Sequence, residues 1–416
     1  MDILERLESN VRSYSRSFPT VFVRAKMSKM YSRDGREYID FFSGAGALSY
    51  GHNNEYIKKK VIDYIANDGI SHALDMFTEA KEEFFLAFEE KVLKPAGYDY
   101  KLLSCAPTGT NAVEASLKLA RKVKGRPGIF AFTGSFHGMT MGSLSVTSGK
   151  TVRAGAGVQL TDVTFVPHPC SFKGDVIEYI ENIITDEYSG VMKPAAIILE
   201  TVQAEGGVWP MEPEFLRRLR AMCDRQDVLM IIDDIQVGCG RTGRFFSFEE
   251  AGIVPDMVAL SKAISGYGFP MSLLLMKPEL DIFSPGEHNG TFRGNQVAFI
   301  GAKAALELRE MLDLEGKTKQ NEEFIRQFVK TRLLTLDDRL QHRGTGMIHG
   351  IDFEALGDES LSGKVANECF RLGLIIERAG RKDCVLKIMP ALTIERDELR
   401  AGLEIIEKAM TKYLRQ

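Results

Sequence analysis

A chain of 416 residues, 44% apolar and 26% charged, is long enough for more than one layered core and too ordinary in composition to be disordered. Its 53 basic and 57 acidic side chains leave a net charge of -4, so small molecules are the expected partners, with no nucleic acid and no membrane. No apolar run reaches membrane-spanning length, and the opening Met1-Asp2-Ile3-Leu4-Glu5-Arg6-Leu7 is unlike a secretory signal, which together predict a cytoplasmic enzyme.

The first predicted element is a hairpin over residues 29–40, turning at Asp34-Gly35. Thr108-Gly109-Thr110-Asn111 supplies polar starters before helical periodicity over 112–124. Short apolar runs follow at 129–133, 163–166, 195–199, 228–232, 257–260 and 271–276, with an amphipathic helix at 214–223 between two of them. This is the rhythm of a mainly parallel sheet. Beyond about residue 300 the pattern shifts to charged helices over 302–312 and 322–334, a short strand near 347–353 and a closing helix over 396–412. The expected class is α/β, with a large central domain over residues 51–300 carrying the sheet. A smaller α+β domain is expected from both chain ends, residues 1–50 and 301–416.

Two predicted strand ends carry the most chemistry. The run 228–232 leads into Asp233-Asp234-Ile235-Gln236, and the run 257–260 into Ser261-Lys262. Ligands of open α/β sheets bind at the C-terminal ends of strands, and an acid beside a lysine there is what a pyridine-aldehyde cofactor requires. The acid would hold the ring nitrogen protonated, and the lysine would form the Schiff base. Taken singly, each has a plainer explanation, a helix N-cap for the acid and a solvated charge for the lysine. Pro107-Thr108-Gly109-Thr110-Asn111 offers amides and hydroxyls at a helix start, suited to a phosphate or simply to capping. Phe136, in Phe136-His137-Gly138, either lies flat on a heteroaromatic ring or packs in the core. Six cysteines without CxxC spacing and seven histidines without an HExxH pair predict neither a disulfide framework nor a metal.

In order along nearly the whole chain stand Asp34-Gly35-Arg36-Glu37-Tyr38-Ile39-Asp40, Gly51-His52, Thr108-Gly109-Thr110-Asn111-Ala112-Val113-Glu114-Ala115 and Phe136-His137-Gly138. Glu200 to Gly207, Asp233-Asp234-Ile235-Gln236, Arg241-Thr242-Gly243, Ser261-Lys262 and Gly290-Thr291 complete the series. This succession resembles the class III, or ω-amino, pyridoxal-phosphate aminotransferases. Gly51-His52-Asn53-Asn54, Ala73-Leu74-Asp75-Met76, Ser265-Gly266-Tyr267-Gly268 and Glu287 to Asn295 are most similar to one subgroup, the L-2,4-diaminobutyrate:2-oxoglutarate aminotransferases of ectoine biosynthesis. The resemblance implies a fold type I PLP-dependent transferase with pyridoxal 5'-phosphate as cofactor. It also implies an amino donor and a 2-oxo acid as substrates, ping-pong transfer through the pyridoxamine form, and a homodimer or dimer of dimers with shared active sites. Ornithine, 4-aminobutyrate or another diamine is the alternative donor, and an aminomutase the more distant reading.

By the same resemblance, Lys262 is the Schiff-base lysine and proton shuttle, Asp233 the partner of the pyridine nitrogen and Gln236 that of the phenolic oxygen. Phe136 stacks on the ring beside His137, Glu200 supports the site from behind, and Gly109 and Thr110 hold the phosphate. Thr291 completes that cradle from the neighbouring subunit. Glu205 matches the glutamate that in many relatives pairs with a carboxylate-clamping arginine, but Lys387 stands in the arginine's place. A lysine cannot make the planar bidentate pairing, so Arg293 is the candidate clamp, or else an interface residue. Ala204 replaces a usual glycine, adding a methyl near the gate, and the small run Ser43-Gly44-Ala45-Gly46-Ala47 stands where some relatives place a tyrosine.

Overall fold

A computed structural model describes residues 2–414 of the chain. Seven strands form its largest sheet: β1 (Lys101–Ser104), β2 (Ile129–Phe132), β3 (Val163–Val166), β4 (Ala196–Leu199), β5 (Leu229–Asp233), β6 (Met257–Leu260) and β7 (Leu273–Met276). Their order across the sheet is β1-β7-β6-β5-β4-β2-β3. β7 runs antiparallel to both its neighbours, and every other pairing is parallel. The strands β2, β4, β5, β6 and β7 are buried at every residue, as a sheet covered on both faces demands. That is why their sequences read as unbroken apolar runs.

Alternate residues serve opposite faces. Phe130, Phe132, Ile197, Leu199, Met230 and Ile232 join one core, while Ala131, Ile198, Ile231 and Ala259 join another together with helix α1 (Gly109–Lys124). The start of α1 is fixed by Asn111, whose side chain accepts the Thr108 backbone N–H at 3.1 Å, and its end by Gly125 at φ 60°. The amphipathic pattern near 214–223 is realised as α2 (Pro213–Arg225).

The chain ends meet. Phe22–Lys26, Lys29–Ser32 and Glu37–Asp40 form an antiparallel ribbon, turned at Asp34-Gly35, onto which Leu374–Ile375 adds as a parallel strand. A second sheet orders Gln341–Thr345, Ile348–Asp352, Val385–Ile388 and Glu377–Ala379, all antiparallel. Phe41 shares a core with Ile376, Leu386 and Leu403. Among the described residues no helix is long and apolar enough to cross a membrane.

β1 and the strand Phe22–Lys26 have no counterpart among the predicted elements, since four or five residues mixing lysine or arginine with apolar side chains give too short a pattern. The predicted helix over 322–334 is the second half of a longer one, Leu314–Phe328, continued by a wider turn over Val329–Leu333.

One buried side chain ties these parts together. Arg241, in the loop after β5, is 0% exposed and, among the described residues, forms no ion pair with a carboxylate; its guanidinium donates to the carbonyls of Met347 (3.2 Å) and Pro390 and to Ser49 Oγ (2.9 Å). Burial lowers its pKa to about 9. Arg241→Ala strands three acceptors without donors, and we expect a loss of about 3 kcal/mol or more in urea denaturation. Arg241→Lys should recover only part of it, because a point charge cannot span all three acceptors.

Candidate active site

Four adjacent strands, β6, β5, β4 and β2, deliver polar groups at their C-terminal ends, and α1 begins on the same side after β1. Asp233 closes β5 and lies opposite Ala259 in the β5–β6 register, so Lys262 follows three residues beyond that level on the neighbouring strand. Glu200 follows β4 directly, and Phe136 and His137 follow β2 after a short turn. The sheet therefore converges these side chains on one crevice.

Asp233 is 4% exposed. One of its oxygens, Oδ2, meets His137 Nδ1 at 2.7 Å, and the other accepts the Ile235 N–H at 3.2 Å. Burial works against the His137 imidazolium, but the hydrogen bond and charge of Asp233 hold its pKa above the ordinary histidine value. Glu200 lies behind them, accepting the backbone N–H groups of Phe136 (3.0 Å) and Ala204 (3.3 Å). Burial, with Asp233 adding to it, pushes Glu200 up to about 7.

Lys262 opens the turn Lys262–Ser265 with φ 52°, a left-handed conformation that costs a non-glycine residue about 1 kcal/mol. What holds it there is close packing on helix α3 (Gln296–Met311): at Gly266 (φ 71°) a Cβ would lie 2.5 Å from both Ala305 Cβ and the Gly301 carbonyl. Burial keeps the Lys262 amine below the usual lysine pKa, against the opposing pull of Glu205. An amine so placed is readily deprotonated and nucleophilic.

Gln236 donates Nε2 to the Ala45 carbonyl (3.0 Å), and its buried Oε1 has no hydrogen-bond partner among the described residues. Ala45 belongs to the turn Ser43–Gly46, whose four residues all have positive φ, so the small-residue run shapes backbone against Gln236. Gly109 passes so close to Ile235 that a Cβ would lie 2.8 Å from Ile235 Cδ1. Thr110 Oγ1 donates to Thr140 Oγ1 (2.6 Å), which donates to Glu114 (2.6 Å). Phe136 is 39% exposed beside this helix start, a ring face left open rather than packed in the core.

Glu205 lies in the loop between Val202–Gln203 and Trp209–Pro210 and meets Lys387 Nζ at 2.7 Å. Lys387 is 0% exposed, and a second carboxylate, Glu377 Oε2, stands 2.9 Å from it. The Tyr14 hydroxyl donates to Glu377 Oε1 at 3.1 Å. Sequence reasoning missed Glu377 and Tyr14, which belong to no motif; Glu377 is recognisable only from the pairing of its strand. Ala204, next to Glu205 in sequence, is buried in an apolar cluster with Val202, Val208 and Met389.

Thr291 and Arg293 lie apart from this group. The Thr291 carbonyl meets His72 Nε2 at 2.8 Å, and Arg293 Nη1 donates to the His288 carbonyl (3.3 Å) and Asn289 Oδ1 (3.4 Å). Among the described residues, no hydrogen bond or ion pair joins either to Lys262, Asp233 or Glu205.

Glu200 gives a pH signature. A carboxyl raised from 4.5 to about 7 takes up a proton on folding, so its contribution to stability is full below about pH 4.5 and is lost as pH rises to about 7. In the ligand-free chain, Glu200→Gln, which cannot ionise, should gain on the unsubstituted protein by roughly 3 kcal/mol between pH 4.5 and 7.5. Denaturant midpoints across that range check this, and parallel curves would refute it.

Residues 11–410 match the family described as Aminotransferase class-III. The chain is 50% identical over 415 residues to a diaminobutyrate--2-oxoglutarate transaminase of Streptomyces coelicolor, covering 99% of this chain and 97% of that one. It is 49% identical over 418 residues to the enzyme of that name from Sporosarcina pasteurii, covering 100% and 98%. Among solved structures, the ornithine aminotransferase of Toxoplasma gondii matches with a TM-score of 0.87 at 23% identity, over 99% of this chain and 94% of that one. A transaminase from the marine bacterium Virgibacillus matches with 0.88 at 19%, over 100% and 99%. At such identities the structural likeness is one of fold.

Proposed function

The chain belongs to the class III aminotransferases, and we propose that it transfers the terminal amino group between L-2,4-diaminobutyrate and 2-oxoglutarate, linking them to aspartate 4-semialdehyde and glutamate. The observation that carries the chemistry is the seating of Lys262 and Asp233 at the ends of two adjacent parallel strands. The substrate pair rests on about half of all positions being shared, end to end, with relatives of that name.

Members of this family use pyridoxal 5'-phosphate, whose aldehyde takes up the amino group and whose ring draws off the electron pair released at the substrate carbon. The residues present fit it. Asp233 is a buried carboxylate suited to a ring N–H, Gln236 keeps a free buried amide oxygen, and Phe136 offers an open ring face. Gly109 and Thr110 open α1 with backbone N–H groups that suit a phosphate. Lys262 would hold the aldehyde and, once displaced, move the proton at the substrate carbon. His137 orients Asp233, and Glu200 fixes the Phe136 backbone from behind.

For the substrates, Glu205 would receive the cationic donor and Lys387 a carboxylate of the acceptor. Arg293 suits a surface toward a second copy better than its own crevice. Exposed Phe77, Met139, Met141 and Phe292 support a homodimer with shared sites, to which Thr291 would contribute phosphate contacts. In this reading the enzyme acts in the cytosol, in ectoine synthesis.

A panel of amino donors with 2-oxoglutarate should give fastest glutamate formation with diaminobutyrate; a preference for ornithine or 4-aminobutyrate would displace that donor. Lys262→Ala should abolish turnover with the fold intact, and Asp233→Asn should lower kcat roughly a thousandfold. Light scattering at micromolar concentration should give the mass of a dimer or of twice a dimer, and a monomer would refute shared sites.

A further inference from the structure

We propose that Glu377 sets how strongly Lys387 attracts the carboxylate of the 2-oxo acid, making it a positioning residue that weighs acceptor against donor. The inference rests on the aminotransferase reading above. Glu377 and Lys387 face each other in register on the antiparallel strands Glu377–Ala379 and Val385–Ile388. The ammonium of Lys387 is buried between two carboxylates, Glu205 at 2.7 Å and Glu377 at 2.9 Å.

The two carboxylates differ in freedom. Glu205 sits on a loop with its side chain 31% exposed, whereas the Glu377 side chain is 10% exposed, fixed by strand pairing and by the Tyr14 hydroxyl at 3.1 Å. Glu205 can turn away without unpairing Lys387, since a buried ammonium keeps its remaining carboxylate. What Lys387 then shows the acceptor is the residue of a neutralised charge. With both carboxylates and the ammonium ionised, the trio carries a net charge of -1. That charge favours a donor bearing an extra ammonium and opposes a dicarboxylate acceptor.

In a ping-pong cycle, kcat/KM for each substrate reports its own half-reaction, so the two effects separate. In the holoenzyme, Glu377→Gln should raise kcat/KM for 2-oxoglutarate and lower it for diaminobutyrate, each roughly fivefold. Glu377→Asp, which keeps the charge, should return both toward the unsubstituted values. Tyr14→Phe frees Glu377 to pair more fully with Lys387, and should move 2-oxoglutarate the opposite way, to a lower kcat/KM. A fall in both half-reactions of folded Glu377→Gln would mean a merely structural role and overturn the proposal, as would unchanged values. Should Glu377→Gln fail to fold, Tyr14→Phe decides, and an unchanged kcat/KM for 2-oxoglutarate overturns it. If the unsubstituted enzyme forms no glutamate with any donor, the aminotransferase reading falls, and this inference with it.

Discussion

The 2.7 Å contact between His137 Nδ1 and Asp233 Oδ2 is the interaction around which the crevice is organised. A carboxylate that is 4% exposed needs partners for both oxygens, and the loop after β2 and the backbone after β5 supply one each. Its position being settled, the neighbours follow from the sheet. Glu200 follows the strand between those bearing the histidine and the acid, and its own burial beside Asp233 accounts for its raised proton affinity. Lys262, one strand further, is packed into a strained turn by two glycines of the helix contact.

The central sheet and its polar strand ends were legible because they follow a short-range rule. Strands buried on both faces must be continuously apolar, and the first polar residue past such a run marks a strand end. Asp233, Glu200 and Lys262 all sit within three residues of that mark. The gate obeys no such rule: Tyr14 and Glu377 are 363 positions apart, and ten residues and a strand pairing separate Glu377 from Lys387. Register is a property of the folded sheet, and a pattern reader sees only the lysine that replaces an arginine. Ala204 belongs to a small apolar cluster that includes Val385 and Met389, the residues on either side of the Lys387 segment, an association that sequence spacing does not reveal.

Arg241 and Lys387 are both fully buried cations, met in different ways. Arg241 lies among carbonyl and hydroxyl dipoles, and its proton affinity falls; Lys387 lies between carboxylates, and its proton affinity rises. The first arrangement spreads one side chain's donors over three segments and acts as a joint. The second concentrates three charged groups at one buried point.

The loop bearing Glu205 is held from the far side as well: the Gly380 N–H donates to the Glu205 carbonyl at 2.9 Å, and Arg343 Nε donates to the Gly207 carbonyl at 2.7 Å. Both anchors lie in the C-terminal region, although the loop itself lies between β4 and β5. The loop's place is therefore set from two distant parts of the chain. Exchanging the last third of the chain for that of a relative would replace Lys387 and Glu377 together with both anchors of the Glu205 loop, while the seat built by β2, β4, β5 and β6 stayed behind.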